Sequence, residues 1–580
     1  MDHLGNFTMA EIRTRSIPDN IQLNDYPVWL ANIFASRGIS SNEQLDYSLK
    51  HLPNPSLMKG ATQAAGLLAD AIEQQQRLLI IADYDVDGAT SCTLMQLILK
   101  EFSAKHVSYL VPDRFKLGYG LSPAIVDLAM DENPDWLITV DNGIASEAGV
   151  RRAKELGIGI IITDHHLPGE TLPDADAIVN PNQPGCEFPS KALAGVGVAF
   201  YTLLALRAEL RQRDWFAKQG IAEPNLGNYL DLVALGSVAD LVPLDHLNRC
   251  LIQQGLERIN QKTCRPAITT LLSFVQREFS RIQAQDLGFI VAPRLNAAGR
   301  LDDMRIGIEC LMSQTQQGAE PLAEELNHWN LQRRAIQEEM QQQALDIVRQ
   351  QKLDKMSDKK AVCLYSEKWH EGVIGLIASK IKDQLYRPTI VFARSDETGL
   401  IKGSARSIKG IHIRDVLDRI ATQKPEMLQK FGGHAMAAGL TIEEKYLAEF
   451  ETTFNEVVKN WSDDGVFDNI LWSDGELSPA QLNLENAELL EQSGPWGQKF
   501  PEPQFDGKFK VIDWKILKQR HIKFRLSLGD SGIVDAIAFN QSDDMLYRQF
   551  DHVHLLYRLS INRFRGVSKL QLMIDYISPP

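Results

Sequence analysis

The chain has 580 residues, a formal net charge of −14, 44% hydrophobic residues and six cysteines. At about 100–200 residues per domain, that length holds roughly three or four domains with sizeable cores. Scattered cysteines without a C-x-x-C pair exclude a disulfide frame and a zinc ribbon, a polar start excludes a signal core, and no apolar run is long enough to span a bilayer, so the chain reads as cytoplasmic with no membrane contact.

Residues 1–60 carry Pro18, Pro27, Pro53 and Pro55 and predict a polar lead-in with short helices. Strands are then predicted at Leu78–Ala82, Val107–Val111, Trp136–Val140, Ile158–Thr163 and Ala177–Val179. Helices are predicted between them at Ala89–Phe102, Pro123–Met130 and Ser146–Leu156. Such alternation is the mark of a parallel α/β sheet. Residues 195–315 read as largely helical, with a loop cluster at Pro293–Leu301. From Pro321 to Lys352, Leu322, Leu326, Trp329, Ile336, Met340 and Ile347 recur at helical spacing, which predicts one long helix joining two lobes. Strand and helix return over 360–456, with Gly-rich loops expected at Lys402–Arg406 and Phe431–Gly439. An acidic linker follows, and short alternating strands from Phe505 predict a small antiparallel barrel. The domain reading is 1–60 lead-in, 61–319 catalytic domain, 320–355 connecting helix, 356–456 second α/β domain and 457–580 barrel domain.

Chemistry is concentrated at the strand ends. Asp83-Tyr-Asp85-Val-Asp87-Gly follows the first strand, Asp141-Asn-Gly the third and Asp164-His165-His166 the fourth. Loops at the carboxyl ends of parallel strands meet in one crevice. Carboxylates gathered there repel one another and lose solvation, and divalent metal ions relieve both. The pattern therefore reads as a metallo-phosphoesterase. A calcium loop counted from Asp83 requires a bidentate Glu at its twelfth position, where Leu94 stands. A helix cap needs one side-chain oxygen, not three carboxylates. Adjacent His165 and His166 point to opposite sides of an extended segment, so one can ligate metal while the other faces substrate. Asp240 ends the run Leu235-Gly-Ser-Val-Ala-Asp240.

These clusters, in this order, resemble the DHH phosphoesterase superfamily. The strings Asp83–Thr90, Thr139–Ile144, Gly236–Pro243, Pro293–Arg300 and Gly432–Gly439 resemble, within it, the RecJ exonuclease family. The resemblance covers about residues 60 to 580. It implies a DHH domain, a connecting helix, a DHH-associated α/β domain and a C-terminal OB-fold-like barrel. It implies two Mn²⁺ or Mg²⁺ ions held by Asp83, Asp85, Asp87, Asp141, His165 and Asp240. In that set Asp141 bridges the ions, Asp83 is a ligand or stands just behind one, and His166 faces the scissile phosphate. Hard oxygen donors with one imidazole suit those metals.

Arg294, Asn296 and Arg300, then Lys402, Ser404 and Arg406, then Gly432, Gly433 and His434, are the candidate phosphate and sugar contacts. Basic and aromatic residues interleave on the barrel, with Lys518, Arg520, Lys523, Arg525, Arg563 and Arg565 as candidate contacts to a single strand. The implied activity is 5′-to-3′ hydrolysis of single-stranded DNA to mononucleotides in DNA repair and recombination. The implied enzyme acts as a monomer, with a single-strand-binding protein and a helicase as partners. Two alternatives remain. One is a phosphodiesterase for short oligoribonucleotides or cyclic dinucleotides, against which the barrel and long helix suggest a longer substrate. The other is an inactive single-strand-binding scaffold, which has no need of the intact acid and histidine set.

Overall fold

The computed structural model describes residues 10–578, apart from residues 20, 114–119, 276–280, 352–358, 396, 462, 542–544, 546–547 and 565. The chain folds as two compact units. One holds residues 17–330 and 493–502. The other holds residues up to 16, 331–492 and 503–580.

The first unit is built on a five-stranded parallel sheet. Its strands are β1 (Leu78–Ala82), β2 (Val107–Leu110), β3 (Trp136–Val140), β4 (Gly159–Thr163) and β5 (Ala177–Val179), in the order β2–β1–β3–β4–β5. All five residues of β1 are buried, which is why the strand reads as a continuous apolar run. Leu79, Ile81, Leu137, Ile160 and Ile162 pack one sheet face against the helices Pro123–Ala129 and Glu147–Glu155. The strand order turns between β1 and β3, so the crevice of the fold opens at the ends of those two strands. Beyond the sheet lie α1 (Val86–Glu101), α2 (Gly195–Gln212), α3 (Leu230–Ala239) and α4 (Ala292–Leu301). Of the lead-in, helix Val28–Ala35 belongs to this unit, and Phe34 stacks on Trp496 and Phe500 of the returning segment 493–502.

Helix α5 (Gln316–Gln350) spans the division of the chain at residue 330. It begins five residues before the predicted start at Pro321. The Gly318 N–H donates to the Thr315 hydroxyl, which caps the helix upstream of the proline.

The second unit contains a mixed sheet in the order β9–β10–β8–β7–β6. Its strands are β6 (Val362–Tyr365), β7 (Thr389–Arg394), β8 (Leu400–Arg406), β9 (Lys430–Gly433) and β10 (Ala437–Glu443). One face packs Phe392, Ile401, Leu440 and Ile442 against helices Ile413–Gln423 and Leu447–Trp461. The other packs Leu364 and Val391 against α6 (Ile374–Leu385) and against Met340, Ala344 and Val348 of α5. Five strands, β11 (Phe505–Leu517), β12 (His521–Ser527), β13 (Ile533–Ala538), β14 (His552–Phe564) and β15 (Val567–Ser578), close into a barrel that is antiparallel, as expected, except where β13 and β15 pair in parallel to close it. Helix α7 (Leu484–Gln492) precedes it.

Three sequence expectations are corrected. The loop cluster at Pro293–Leu301 is helix α4, continuous with a π-helical turn at Leu287–Val291; Pro293 has no N–H to return to the preceding turn, and the wide turn there accommodates it. Of the expected Gly-rich loops, Lys402–Arg406 lies in β8 and Phe431–Gly439 is the hairpin of β9 and β10 with a loop only at 434–436, because neighbouring strands supply the pairing that glycine leaves open. Helix α1 begins at Val86, three residues earlier than predicted, because Asp85 caps it.

Candidate metal centre

The run after β1 does two jobs. Asp85 Oδ1 accepts from the Asp87 N–H at 2.9 Å and the Gly88 N–H at 3.1 Å, which starts α1. The tight cap places Asp83, Asp85 and Asp87 around one turn. Asp87 reaches the N-terminus of α2, where its two oxygens accept from the Gly195 N–H (2.6 Å) and the Val196 N–H (2.8 Å). Those N–H groups are among the orphan donors of a helix start, and the helix dipole favours a negative charge there.

After β3, Asp141 adopts φ +62°, a strained conformation for a residue with a side chain. Its N–H donates to the Thr163 carbonyl at 3.0 Å. The neighbouring Asn142 amide bridges the carbonyls of Ile81 and Val140, so the ends of β1 and β3 are fixed to each other. Gly195 makes this geometry possible: a Cβ there would lie 2.6 Å from Asp141 Cβ and Oδ1.

After β4, Asp164 organises the two histidines. Its Oδ1 accepts from the N–H groups of His165 (2.7 Å) and His166 (3.0 Å) and lies 2.8 Å from His166 Nδ1. Its Oδ2 accepts from the Ile144 N–H at 2.9 Å, which ties this loop to the one after β3. Asn182 and Asn180 donate to the carbonyls of His165 and His166. His165 Nε2 is thereby held 3.2 Å from Asp141 Oδ1, 3.6 Å from Asp240 Oδ2 and 4.0 Å from Asp87 Oδ2. Asp240 caps the C-terminus of α3.

Three overlapping donor sets result: Asp83, Asp85 and Asp141; Asp141, His165 and His166; and Asp87, His165 and Asp240. Within each, the donor atoms lie within 4.8 Å of one another. Asp141 and His165 each belong to two of the three.

The electrostatics fit a cation site. Burial, followed by the charges of Asp87 and Asp85, pushes Asp141 well above the carboxylate range. Burial and the neighbouring acids push Asp87 up to about 7 and Asp240 up to about 9. Burial works against charge on Asp164 and His166 too. Their hydrogen bond and mutual attraction nonetheless win, so Asp164 is lowered and His166 is raised to about 9. The set is oxygen-rich with imidazole nitrogen and no thiolate, a donor chemistry that fits Mn²⁺ or Mg²⁺.

All six ligands predicted from the sequence, and His166, come together here. Asp164 is assigned no role in the sequence reading. Its signal was present: an Asp directly after a strand accepts from the next two N–H groups. Gly195 had no signal, because its constraint is a tertiary contact.

The candidate substrate residues divide differently. On α4, Asn296 and Arg300 are four residues apart and share a face, while Arg294 lies about 200° away from Asn296. Arg294 is buried, donates to the Ile290 carbonyl and Asn327, and stands over the Phe274 ring. Its guanidinium is thus engaged inside the unit rather than presented to a phosphate. In the second unit Lys402, Ser404 and Arg406 alternate along β8 on one face. Arg406 donates to Ser404 at 3.0 Å, and burial pushes its guanidinium down. Lys402 pairs with Glu371 at 2.9 Å. Gly432 and Gly439 pair with each other and Gly439 with Ser404, and a Cβ at either glycine would meet open space. The three positions form a trough floored by backbone. Gly433 adopts φ +143° where the strand turns into exposed His434.

On the barrel, Lys518, Arg520 and Arg525 are exposed. Lys523 pairs with Asp535 at 2.7 Å, and Arg563 holds Glu491 of α7 through two hydrogen bonds, so their charges are already balanced within the unit. Arg565 lies outside the described residues.

Three stretches match known domain families: 77–237 the DHH family N-terminal domain, 358–460 the DHHA1 domain and 473–576 the RecJ OB domain. The chain is 46% identical over 574 residues to the single-stranded-DNA-specific exonuclease RecJ of Dickeya dadantii, covering 98% of this chain and 99% of that protein. It is 46% identical over 575 residues to the RecJ of Escherichia coli, with the same coverage. Its fold matches crystalline Thermus thermophilus RecJ in complex with Mn²⁺, with a TM-score of 0.80 and 28% identity over 99% of this chain and 80% of that one. The Mg²⁺ complex of the same protein matches with a TM-score of 0.75 and 26% identity, covering 99% of this chain and 79% of that one.

Proposed function

This chain belongs to the RecJ family of single-stranded-DNA-specific exonucleases, and from that membership we propose that it removes mononucleotides from single-stranded DNA in the 5′-to-3′ direction, in DNA repair and recombination. The observation that carries the reading is the buried and half-buried carboxylate and histidine constellation at the switch point of the parallel sheet. We assign Asp83, Asp85, Asp87, Asp141, His165 and Asp240 to two divalent ions; Asp141 would be shared, because it belongs to two donor sets and, unlike the imidazole of His165, offers two carboxylate oxygens. Bound there, Mn²⁺ or Mg²⁺ supplies an activated water and charge neutralisation on the phosphate oxygens.

The protein's own groups do the rest. The α2 N-terminus keeps Asp87 aimed inward. Asp164 orients His166 and favours its imidazolium at neutral pH. His166 donates its remaining N–H to a non-bridging oxygen of the scissile phosphate. Asn296, Arg300, Lys402, Ser404, Arg406 and the glycine-floored trough hold phosphate and sugar. Exposed Lys518, Arg520 and Arg525 add contacts along the strand. A helicase that generates single strands and a single-strand-binding protein that coats them are the partners this substrate implies. The enzyme acts as a monomer in the cytoplasm. Among the described residues, no helix is long and apolar enough to cross a membrane.

Digestion of 5′-labelled and 3′-labelled DNA and RNA oligomers, with Mn²⁺, Mg²⁺ or chelator, tests the reading. Release of the 5′ label from DNA first, dependent on metal, is expected. A preference for short RNA or cyclic dinucleotides would replace it with the phosphodiesterase alternative, and binding without hydrolysis would replace it with the scaffold.

A further inference from the structure

Phe289 is 81% exposed, although its neighbours Leu287 and Val291 are fully buried. The three sit in the π-helical turn Leu287–Val291, a wide turn of a kind often found at functional sites. This turn packs on the last turn of α3. A Cβ on Gly288 would lie 3.3 Å from Val238, the carbonyl of Val238 accepts from the Leu241 N–H, and Asp240 of the metal centre lies between these two residues in sequence. Leu241 is itself 71% exposed and adopts φ +57°. On its other side the turn leads into Arg294, which donates to the Ile290 carbonyl and stands over the partly exposed ring of Phe274. Two exposed apolar side chains, Phe289 and Leu241, thus stand on elements that pack on each other, Leu241 being next in sequence to a candidate metal ligand.

We infer that Phe289 is a stacking surface for a nucleobase of the single strand, with Leu241 as its apolar rim next to the metal centre. The inference rests on the exonuclease reading, which brings a DNA strand to Asp240. An exposed phenyl ring meets an unstacked base face with little regard to sequence, and such stacking adds affinity base by base. Base faces inside a duplex are covered by their neighbours. The ring therefore favours an unpaired strand, and Phe289 becomes a specificity-determining residue.

Steady-state hydrolysis of a 5′-phosphorylated oligodeoxythymidylate with Mn²⁺ tests this on the full-length enzyme. Phe289→Ala is expected to raise KM about tenfold while kcat changes less, and Phe289→Trp is expected to restore KM. The same strand is then made with one abasic site, moved position by position from the 5′ end. At the stacked position the lesion should raise the wild-type KM by a similar factor and leave Phe289→Ala unaffected. An unchanged KM for Phe289→Ala, or equal abasic effects in both proteins at every position, would overturn the proposal while leaving the exonuclease reading standing. Absence of nucleotide release by the wild-type enzyme would overturn that reading, and this inference with it. The side chain is exposed, so an unchanged melting temperature is expected for both variants.

Discussion

Gly195 approaches Asp141 so closely that no methyl group fits between them. Its N–H also holds Asp87, so one backbone position aims two acids of the metal centre. We predict that Gly195→Ala lowers kcat by about 100-fold, the usual consequence of a displacement near 1 Å at a reacting centre. Overpacking should cost about 1–3 kcal/mol of stability. Nucleotide release and thermal melting measured together check this; wild-type turnover would show that Asp141 tolerates the shift. A second prediction concerns pH. The folded protein raises Asp87 to about 7, Asp240 to about 9 and His166 to about 9, each above its unfolded value. Each group then holds more protons folded than unfolded, so its stabilising contribution is present at low pH and is lost as pH rises through the folded value. Metal-free protein should therefore lose melting temperature between pH 6 and pH 9. Saturating Mn²⁺ should flatten that fall, because the ion takes the place of the protons. A metal-free melting temperature that rises over the same interval would refute the crowded-acid account.

Elements show where local sequence suffices and where it does not. Strands β1, β3 and β5 match their predicted bounds, because each is a short apolar run with buried or partly buried residues on both faces. The carboxylates after β1 and β3 were legible for the same reason, since a polar residue ending such a run must lie at a sheet end. The glycine-rich stretches over 402–406 and 431–439 read as loops, yet all but 434–436 is strand, since pairing across β9, β10 and β8 is a non-local fact. Arg294 and Arg300 read as one cluster and diverge because the stretch is helical. The barrel gives the matching lesson for charge. Arg563 reads as a nucleic-acid contact, but Glu491 of α7 takes it in a paired hydrogen bond with both side chains about three-quarters buried. Breaking such a pair strands the remaining charge. Arg563→Ala should thus destabilise the protein by about 1–3 kcal/mol with little change in single-strand affinity. Melting curves and binding titrations separate the two effects; a large loss of affinity without loss of stability would return Arg563 to the DNA-binding face.

At the scale of the whole molecule, a chain of net charge −14 must hold a polyanion. Summed charge cannot do this; local placement can. Divalent ions at the candidate metal centre would neutralise its acids, and the barrel presents Lys518, Arg520 and Arg525 to solvent while Lys523 and Arg563 are balanced internally. Each exposed cation that meets a phosphate releases a counterion, so affinity falls with salt in proportion to the number of contacts. We predict that the triple variant Lys518→Ala, Arg520→Ala and Arg525→Ala weakens binding of long single strands most at low salt. Its log–log salt slope should be shallower than wild type by about 2, at about 0.7 per phosphate contact on a single strand. Above the salt at which these contacts are screened, the two affinities should converge. Hydrolysis of a dinucleotide, which the catalytic residues bind by themselves, should be unchanged. Fluorescence anisotropy across a salt series measures the slope, and dinucleotide turnover supplies the control. Parallel slopes for the two proteins would show that the three side chains form a solvated face, and the strand would then have to be held by the α4 and β8 cations alone.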